Sequence, residues 1–421
     1  MAFGKIPRFS PSFSKQEAII SAKELLFFSN NVQKNDEKVR KFEHRFAGYI
    51  GARYAVMVPS ARYGFYLLLK ALGVGEGDEV VIPALTYFAI PAMVPLTKAK
   101  VVLADIVLNS HVIDPESFAS VITEKTKVVV PTHLFGTPCD MSPILEIANK
   151  HNIAVIEDCA QSTGAKYGGR RVGSFGKAAY YTFGLTKNIT SLSGAMITTD
   201  DKDIAQYVRE QVQQGGYAPL QKSLKEACTG LAMMVATHPK IYWATVHPAV
   251  QLGNILGKDP IHDTFGEPEC RYEKLSSSYT EFSKARSIQA AVGMKQLDRI
   301  EELNAARVVN GIYLDTNLQS VSNLSAPEYP KDAEPIYMSF VVHHKDRKKL
   351  AQALLRRGVD TTTGYMNDMS THELFPEFRS NCPNATKANK ELLHIPVHPN
   401  LTECDRKHIV QSVIESCVEI G

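Results

Sequence analysis

The amino-acid sequence predicts an α/β protein with a large domain built on a mainly parallel central sheet and a smaller C-terminal α/β domain. At 421 residues the chain exceeds what a single hydrophobic core usually organises. From about residue 37 to 200, helical segments alternate with short, uninterrupted apolar segments, as is typical of strands buried on both faces. The alternation returns from about residue 335. These observations predict a large domain over 1–300 and a smaller domain over 301–421.

The elements of the large domain follow from the hydrophobic pattern. VRKFEHRFAGYI is predicted to be a helix because Val39, Phe42, Phe46 and Tyr49 recur at three- and four-residue intervals. RYAVMVPS is a strand that runs into a turn, and YGFYLLLKAL is the helix after it. Further strands are predicted at EVVIPAL, KVVVPTHLF and IAVIED. Because ligands of such sheets bind at the carboxyl ends of the strands, polar residues just after these segments are site candidates.

Residues 215–272 interrupt this rhythm with a segment rich in alanine, methionine and aromatic residues. Its apolar pieces are shorter than the roughly 20 residues that span a bilayer. We interpret it as a helical insertion that packs on a dimer or covers the entrance of a site. The alternative is an apolar surface that contacts a membrane or a lipid-linked substrate, formed by Met233, Met234, Ile241, Tyr242 and Trp243.

The rest of the chain returns to long elements. SIQAAVGMKQLDRIEELNAARVVNGIYL is predicted to be one long helix. The smaller domain then alternates strand and helix through PIYMSFVVHH, DRKKLAQALLRRG and LLHIPVHPNLTECDRKHIVQSVIE.

Composition excludes several classes of protein. Lys and Arg number 47 against 44 Asp and Glu, a net charge of +3, and no basic run stands out, so no nucleic-acid partner is predicted. The seven cysteines lack C-x-x-C spacing, which indicates neither a disulfide framework nor a metal site. The N-terminal sequence MAFGKIPRFSPSF lacks the apolar core of a signal peptide, so a cytoplasmic location is expected.

Two residues near predicted strand ends indicate a functional site when they are considered together. Asp158 follows the strand IAVIE, and Lys187 lies 29 residues later in a polar loop between two apolar segments. Singly, the aspartate reads as a helix cap or surface acid and the lysine as a solvated charge. Together they match the needs of pyridoxal 5′-phosphate (PLP), which uses a carboxylate at its pyridine nitrogen and a lysine for covalent attachment and proton transfer.

At this point the sequence closely resembles the DegT/DnrJ/EryC1/StrS aminotransferases, which use PLP on the fold type I scaffold to aminate nucleotide-linked keto-sugars. The resemblance covers most of the chain apart from about 215–275 and the extreme N-terminus. It is carried by an ordered series of segments that includes FEHRFAGYIGARYAVMVPSA, LGVGEGDEVVIPALTYFA, VVPTHLFGTPCDM, VIEDCAQSTGAKYGGRRVGSFG, TFGLTKN, IQAAVGMKQLDRI and HIPVHPNLTECD.

The resemblance implies a role for each matching residue. Lys187 in TFGLTKN would be the Schiff-base lysine, Asp158 would pair with the pyridinium nitrogen, and Gln161 would hydrogen-bond the 3-oxygen of the ring. Tyr87 would stack on the ring. The cofactor phosphate would be held by Thr182 and by the turn of Ser60, Ala61 and Arg62, where a helix N-terminus also favours an anion. His394 and His398 are interpreted as structural.

Three positions depart from the family pattern. Arg62 replaces a threonine in the turn before the first long helix of the sheet. Leu192-Ser193-Gly194-Ala195 replaces Gly-Glu-Gly-Gly after the lysine. The segment around Glu281-Phe282-Ser283-Lys284 replaces an Asn-Tyr-Arg segment whose asparagine reaches the phosphate in the neighbouring subunit. The second departure leaves the carbonyl substrate open.

The functional prediction is therefore a PLP-dependent aminotransferase, in a homodimer implied by the resemblance, that moves an amino group from an amino acid such as glutamate to a nucleotide-linked keto-sugar. Three alternatives remain: a non-sugar or lipid-linked carbonyl substrate, a PLP-dependent lyase, and a non-catalytic PLP-binding regulator. The presence of Lys187 disfavours the sugar dehydratases of the family, which replace that lysine. The regulator would be expected to lack Lys187 or Asp158.

Overall fold

A central seven-stranded sheet organises the large domain. The computed structural model describes residues 5–27, 31–256, 258, 261, 283–364 and 366–421. The strand order in the sheet is β1-β10-β9-β6-β5-β2-β4. These strands are β1 (Tyr54–Val58), β2 (Glu79–Pro83), β4 (Lys100–Ala104), β5 (Thr126–Val129), β6 (Ala154–Asp158), β9 (Ala178–Thr182) and β10 (Ala195–Thr199).

The pairing within this sheet is mainly parallel, as the sequence predicts. Strands β4, β2, β5, β6 and β9 pair in parallel with their neighbours, and β10 runs against both β9 and β1. Since β1 runs in the same direction as β9, the carboxyl ends of β1, β6 and β9 lie at one edge. Val80, Val81 and Ile82 of β2 are fully buried, which explains the uninterrupted apolar segment there.

Short strands add local pairings around this sheet. Strand β3 pairs with β15, β7 pairs with both β8 and β13, β11 pairs with β12, and β14 pairs with β16. Their bounds are β3 (Leu85–Thr86), β7 (Lys166–Tyr167), β8 (Arg170–Arg171), β11 (Gly216–Tyr217), β12 (Ser283–Lys284), β13 (Ala333–Glu334), β14 (Phe340–His343), β15 (Asn367–Asp368) and β16 (Leu392–Ile395).

Helices cover both faces of the sheet and fill the smaller domain. The helix predicted at 39–50 is confirmed within α2, where Phe42 and Phe46 are fully buried. The helices are α1 (Lys15–Phe27), α2 (Val32–Ile50), α3 (Ala61–Ala71), α4 (Pro115–Ser120), α5 (Met141–Lys150), α6 (Lys202–Gln213), α7 (Leu220–Ala236), α8 (Pro239–Ile241), α9 (His247–Ile255), α10 (Ser287–Leu297), α11 (Ile300–Leu318), α12 (Arg347–Arg356), α13 (Pro383–Glu391) and α14 (Glu403–Ile420).

The prediction of one long helix over residues 287–314 is wrong, because α10 ends at Leu297 and α11 begins at Ile300. No glycine or proline marks the break. The two residues at the break contact different helices, since Asp298 pairs with Arg45 of α2 at 2.6 Å and Arg299 contacts Glu17 of α1 at 3.5 Å. The helical spacing of apolar residues continues from α10 into α11, so the sequence pattern does not predict the break.

The segment predicted as an insertion is helical in its described part, through α7, α8, a π-helical turn at Tyr242–Val246, and α9. The five-residue apolar surface is wrong at two positions, because Met233 is 4% exposed and Tyr242 is 1% exposed. Both side chains pack inward, while Ile241 and Trp243 are exposed. Among the described residues, no helix is both long enough and apolar enough to span a membrane.

The N-terminal segment 5–14 runs from the smaller domain to the large one. Its Ile6 pairs with Val359 in a parallel bridge and is buried in the core of the smaller domain. Further along, the Asn400 amide donates to the Ser10 hydroxyl at 2.8 Å, and Phe13 is 2% exposed beneath α10. This segment, which sequence analysis left unassigned, therefore connects the two parts of the fold.

The alternation predicted after residue 335 is confirmed by β14, α12, β16 and α14. Strands β14 and β16 form an antiparallel pair, and α12 and α14 pack with it around a hydrophobic core of its own. This separate core supports a boundary near residue 300, which stays a prediction.

Candidate active site

Three predicted site segments converge at the carboxyl edge of the sheet. Asp158 is the last residue of β6 and Thr182 the last of β9, and these strands are direct neighbours. Val58 of β1 and Thr182 both flank Ala195 of β10, one on each side. Because neighbouring strands lie about 4.8 Å apart, the turn after β1 lies about 10 Å from the end of β9.

Asp158 is held in a buried position by its own turn. Its side chain is almost fully buried, and its Oδ1 accepts a hydrogen bond from the Ala160 N–H at 2.9 Å. Burial raises the pKa of this carboxyl, against the opposing effects of the Ala160 N–H, the Tyr180 hydroxyl and the positive charge of Lys187. A cationic group bound next to Asp158 would oppose this rise in the pKa by favouring the ionised carboxylate, and the carboxylate would in turn stabilise the cation.

The residues beside Asp158 form a buried network that the sequence did not reveal. Glu157 accepts hydrogen bonds from the backbone N–H groups of Gly173, Phe175 and Gly176 at 2.6 to 2.7 Å. His133 Nδ1 accepts from the Cys139 N–H at 2.9 Å, so its Nε2 carries the proton and donates to Glu157 at 3.1 Å. These bonds fix the end of β6, and they occupy the His133 and Glu157 groups that, with nearby Cys159, could otherwise bind a metal ion.

Lys187 lies in the loop between β9 and β10, as predicted. Its backbone N–H donates to the Gly184 carbonyl at 3.1 Å, and its carbonyl accepts from the Ser12 hydroxyl of the N-terminal segment at 3.2 Å. The next residue, Asn188, is buried and donates to the Thr163 carbonyl at 2.8 Å. The backbone of the loop is thus fixed on both sides of a half-buried lysine side chain.

A tight turn orients the side chain of Gln161. Its Oε1 accepts from the Phe135 N–H at 2.9 Å, so its amide nitrogen is left to point at the cavity, where Met366 Sδ lies 3.8 Å away. Gly136 makes this possible, because it has a φ of +90° and a Cβ there would lie 2.6 Å from the Met338 nitrogen. The amide nitrogen can therefore donate to an oxygen of a bound ligand.

The turn after β1 has the geometry of a helix N-terminus. Ser60 is the N-cap of α3, and its hydroxyl accepts from the Tyr63 N–H at 3.2 Å. The first turn of α3, which begins at Ala61, is suited to bind an anion, because the backbone dipoles of a helix favour a negative charge at its N-terminus. Gly194, in the loop that departs from the family pattern, approaches this turn, because a Cβ on it would lie 3.4 Å from the Val58 carbonyl.

The altered loop after Lys187 is packed into the protein. Leu192 has a φ of +73° and is 2% exposed, in a small core with Phe13, Ile288 and Val292. A leucine at this position therefore anchors the loop to the N-terminal segment and α10, which explains why the loop differs in composition from the glycine-rich pattern.

A cavity of about 120 Å³ brings part of the predicted set together. Lys187 and Gln161 line it, and Asp158 lies close enough to Lys187 for the lysine charge to act on its pKa. The other predicted residues lie outside its described wall, at the ends of β1, β3 and β9: Ser60, Ala61, Arg62, Tyr87 and Thr182. Tyr87 is half-buried with its ring centroid 4.9 Å from that of Phe88.

The opposite wall of the cavity comes from segments that sequence analysis did not connect to the site. His394 and His398, interpreted as structural from the sequence, both line it. Burial lowers the pKa of His394 to about 4 and that of His398 to about 3, so both are neutral at neutral pH. The remaining polar members include Arg8, Ser10, Arg307, Ser339 and Thr362.

Of the segment predicted to replace the family's Asn-Tyr-Arg, Glu281 and Phe282 lie outside the described residues. Ser283 and Lys284 form β12, which pairs in parallel with β11. Lys284 also lies over the Tyr217 ring, with its Nζ 5.7 Å from the ring centroid. A phosphate-binding role for either residue stays untested.

Comparison with known proteins gives a consistent result. The family model described as the DegT/DnrJ/EryC1/StrS aminotransferase family matches residues 15–236 and 271–414. The unmatched stretch, residues 237–270, lies within the insertion predicted over 215–272, whereas α7 lies in the matched part. The bounds of the insertion stay a prediction.

The chain is similar to GDP-perosamine synthase of Caulobacter vibrioides, with 28% identity over 384 residues that cover 89% of this chain and 88% of that protein. It is also similar to dTDP-3-amino-3,6-dideoxy-alpha-D-galactopyranose transaminase of Aneurinibacillus thermoaerophilus, with 27% identity over 380 residues and 89% of each chain covered.

A solved structure of an aminotransferase from Psychrobacter cryohalolentis has the same fold, with a TM-score of 0.77, 27% identity, and coverage of 98% of this chain and 99% of that one. The central sheet, the buried Asp158 and the loop lysine are thus found in a chain that matches the family over most of its length. The chain belongs to the DegT/DnrJ/EryC1/StrS aminotransferase family and is a PLP-dependent aminotransferase of fold type I.

Proposed function

We propose that this enzyme transfers the amino group of an amino acid, with glutamate as the donor, to the keto group of a nucleotide-linked sugar. The observation that carries this proposal is the convergence of buried Asp158, Gln161 and Lys187 at one edge of the sheet. The relatives named GDP-perosamine synthase and dTDP-3-amino-3,6-dideoxy-alpha-D-galactopyranose transaminase support the sugar class of the acceptor.

The residues fit PLP in charge and in placement. When bound, the cofactor supplies a protonated pyridine ring that withdraws electrons from the reacting carbon of the substrate. Asp158 would hold the ring proton, because a buried carboxylate favours an adjacent cation. The Gln161 amide nitrogen would donate to the 3-oxygen, and Tyr87 would stack on the ring.

The anionic end of the cofactor would lie at the turn after β1. The first turn of α3, the Arg62 side chain and the Thr182 hydroxyl would bind its phosphate. Lys187 would hold the cofactor covalently in the resting enzyme. Once the incoming donor has released its amine, Lys187 would take the donor's α-proton in the first half-reaction and would deliver a proton to the carbonyl carbon of the acceptor in the second.

Two half-reactions test this function separately. Cofactor-loaded protein mixed with L-glutamate should convert to the amine form of the cofactor and release 2-oxoglutarate. Nucleotide-linked 4-keto and 3-keto sugars should then restore the original absorbance and yield an amino-sugar. If no keto-sugar restores it while a simple keto acid does, the sugar assignment is wrong and the donor assignment stands.

A carbonyl substrate with an apolar substituent is the second candidate, and a second cavity favours it. This cavity of about 310 Å³ lies between the N-terminal segment and α7, with a wall that is almost entirely apolar and includes Phe9, Ala232, Met233 and Val246. Arg8 and Phe9 line both cavities. Faster restoration of the cofactor by a ketone with a long alkyl chain than by any keto-sugar would favour this candidate.

We also propose that the enzyme is a cytoplasmic homodimer. Large apolar side chains are exposed on the helices of the insertion and on α1, where a second copy would remove them from water: Ile19, Leu26, Phe27, Leu231, Val235, Trp243 and Leu252. Light scattering during gel filtration should give twice the mass of the 421-residue chain. A monomer that sediments with anionic liposomes would instead favour the membrane contact.

A further inference from the structure

Arg307 of α11 is a buried arginine with no acidic partner in the part of the chain that the structure describes. It is 4% exposed, its Nε has no hydrogen-bond partner, and no described carboxylate forms an ion pair with it. Burial alone lowers the pKa of this guanidinium, to about 10, so it is still charged at neutral pH. A buried charge without a counter-charge is strongly unfavourable, which indicates that a ligand anion supplies the missing partner.

His398 lies beside Arg307, and its buried ring also has unused hydrogen-bonding capacity. It is 6% exposed, and the Pro7 carbonyl is the hydrogen-bonding group that acts on its ring among the described residues, which leaves at least one ring nitrogen for a ligand. After burial, the positive charge of Arg307 is the next cause that lowers the pKa of His398, so the two side chains are close. A neutral imidazole still carries one N–H, and it can donate to the anion that Arg307 binds.

Both side chains line the cavity that contains Lys187. The other arginine of this cavity, Arg8, already has a counter-charge, because its Nε and one terminal nitrogen each lie 2.9 Å from a different carboxylate oxygen of Asp360. Among the described residues of this wall, Arg307 is therefore the cation whose charge is left for a ligand. Lys187 faces Asp158 on the other side.

We propose that Arg307 and His398 bind a carboxylate of the amino-acid donor during the first half-reaction. The planar fork of a guanidinium matches a carboxylate with two parallel hydrogen bonds. The cofactor phosphate has its own candidate site at the turn of Ser60, which leaves this guanidinium for a different anion. A carboxylate held here keeps the donor within reach of Lys187.

This inference rests on the proposed function, so its test measures binding apart from turnover. Glutarate, a dicarboxylate without an amino group, is titrated into cofactor-loaded protein by calorimetry. Arg307→Gln should weaken glutarate binding on the order of 10- to 100-fold, and His398→Gln should weaken it about 5-fold. Arg307→Lys should retain part of the affinity, and the exposed Arg356→Gln serves as the matched control and should leave it unchanged.

The outcomes separate the possible roles of Arg307. Equal glutarate affinity in wild type and Arg307→Gln, with both proteins folded and loaded, would overturn the proposal. A loss of bound cofactor in Arg307→Gln, or a weakened affinity for dTDP instead of glutarate, would assign the arginine to the cofactor or nucleotide and would also overturn it. Arg307-dependent glutarate binding in a protein that transfers no amino group would refute the proposed function alone.

Discussion

The two walls of the active-site cavity are built in different ways. One wall, here called the cofactor wall, contains Gln161 and Lys187, with Asp158 next to Lys187, and these three residues lie within 30 residues of one another at the ends of neighbouring strands. The donor wall takes Arg8, Arg307 and His398 from the N-terminal segment, a helix and the smaller domain. A sheet edge brings together functional residues that are close in the sequence, whereas the donor wall forms only when segments that are distant in the sequence pack against one another.

The two walls also differ in how their charges are satisfied. On the cofactor wall, Asp158 and Lys187 act on each other, and Glu157 is bonded to three backbone N–H groups. On the donor wall, Arg8 has its partner in Asp360 and Arg307 has none among the described residues. Asp158 beside the cofactor wall is therefore suited to stabilise a bound cation, and Arg307 of the donor wall is suited to bind an anion.

The largest effect is expected at the centre of the cofactor wall. Lys187→Ala should lower the rate of the glutamate half-reaction by at least about 10²- to 10⁴-fold, because the group that transfers the α-proton is removed. The exposed Lys150→Ala should behave as wild type. Stopped-flow absorbance of the bound cofactor measures both. An unchanged half-reaction rate in Lys187→Ala would show that another group transfers the α-proton and that the cofactor wall does not contain the base.

A somewhat smaller effect is expected for Asp158→Asn, which keeps the shape and removes the charge. The half-reaction should slow by about 10²- to 10³-fold, because the ring nitrogen loses its stabilising charge. Asp158→Glu should recover part of the rate if the charge is what matters. Equal rates for Asp158→Asn and wild type would remove Asp158 from the mechanism.

The same substitution predicts a pH effect on the cofactor-free protein. Because burial raises the Asp158 pKa, the native state holds the proton more tightly than the unfolded state, and wild-type stability falls as pH rises from the ordinary value of 3.8 to the raised one. Asp158→Asn lacks this loss. The variant should therefore gain stability relative to wild type across that window, as urea midpoints measured at successive pH values would show, and a constant difference would contradict the assignment.

On the donor wall, the strongest stability effect is expected at Asp360. Asp360→Asn leaves the buried guanidinium of Arg8 without its counter-charge, which should lower the free energy of unfolding by about 3 to 5 kcal/mol. Asp346→Asn is the matched control, because Asp346 is exposed and its pair with Lys349 should contribute less than about 1 kcal/mol. Chemical denaturation of both variants gives the comparison, and similar midpoints would show that the donor wall does not depend on this pair.

The smallest effect is expected for Tyr242→Phe. The Tyr242 hydroxyl donates to Asp360 at 2.8 Å and thereby joins the insertion to the same ion pair. Removing it should cost about 1 kcal/mol, and the cost should shrink in an Asp360→Asn background, because the acceptor then carries no charge. An unchanged cost in that background would show that Tyr242 acts through packing alone.

The sequence predicted the cofactor wall well because strand ends have a local signature. The segment IAVIED contains both β6 and Asp158, which ends that strand, and TFGLTKN begins at the last residue of β9 and contains Lys187. The cofactor roles of Asp158, Gln161 and Lys187 stay predictions until the variants above are measured.

The rest could not be predicted because its causes are tertiary. The two residues at the corner, Asp298 and Arg299, form ion pairs with α2 and with the start of α1, and nothing in the local sequence marks the corner. Arg307 lies in a helix whose sequence gives no hint of a cavity. Tyr242 looked like part of an apolar surface, and only the fold shows that its hydroxyl reaches Asp360.

The N-terminal segment has a practical consequence for handling this protein. Ile6 pairs with Val359, Arg8 binds Asp360, and the Ser12 hydroxyl donates to the Lys187 carbonyl. Residues 5–14 therefore connect the smaller domain to the loop that carries Lys187. Trimming these residues, or fusing a bulky affinity tag directly to them, would disturb the backbone of the lysine loop. Gly421 is exposed at the end of α14, and an extension there meets no such contact among the described residues.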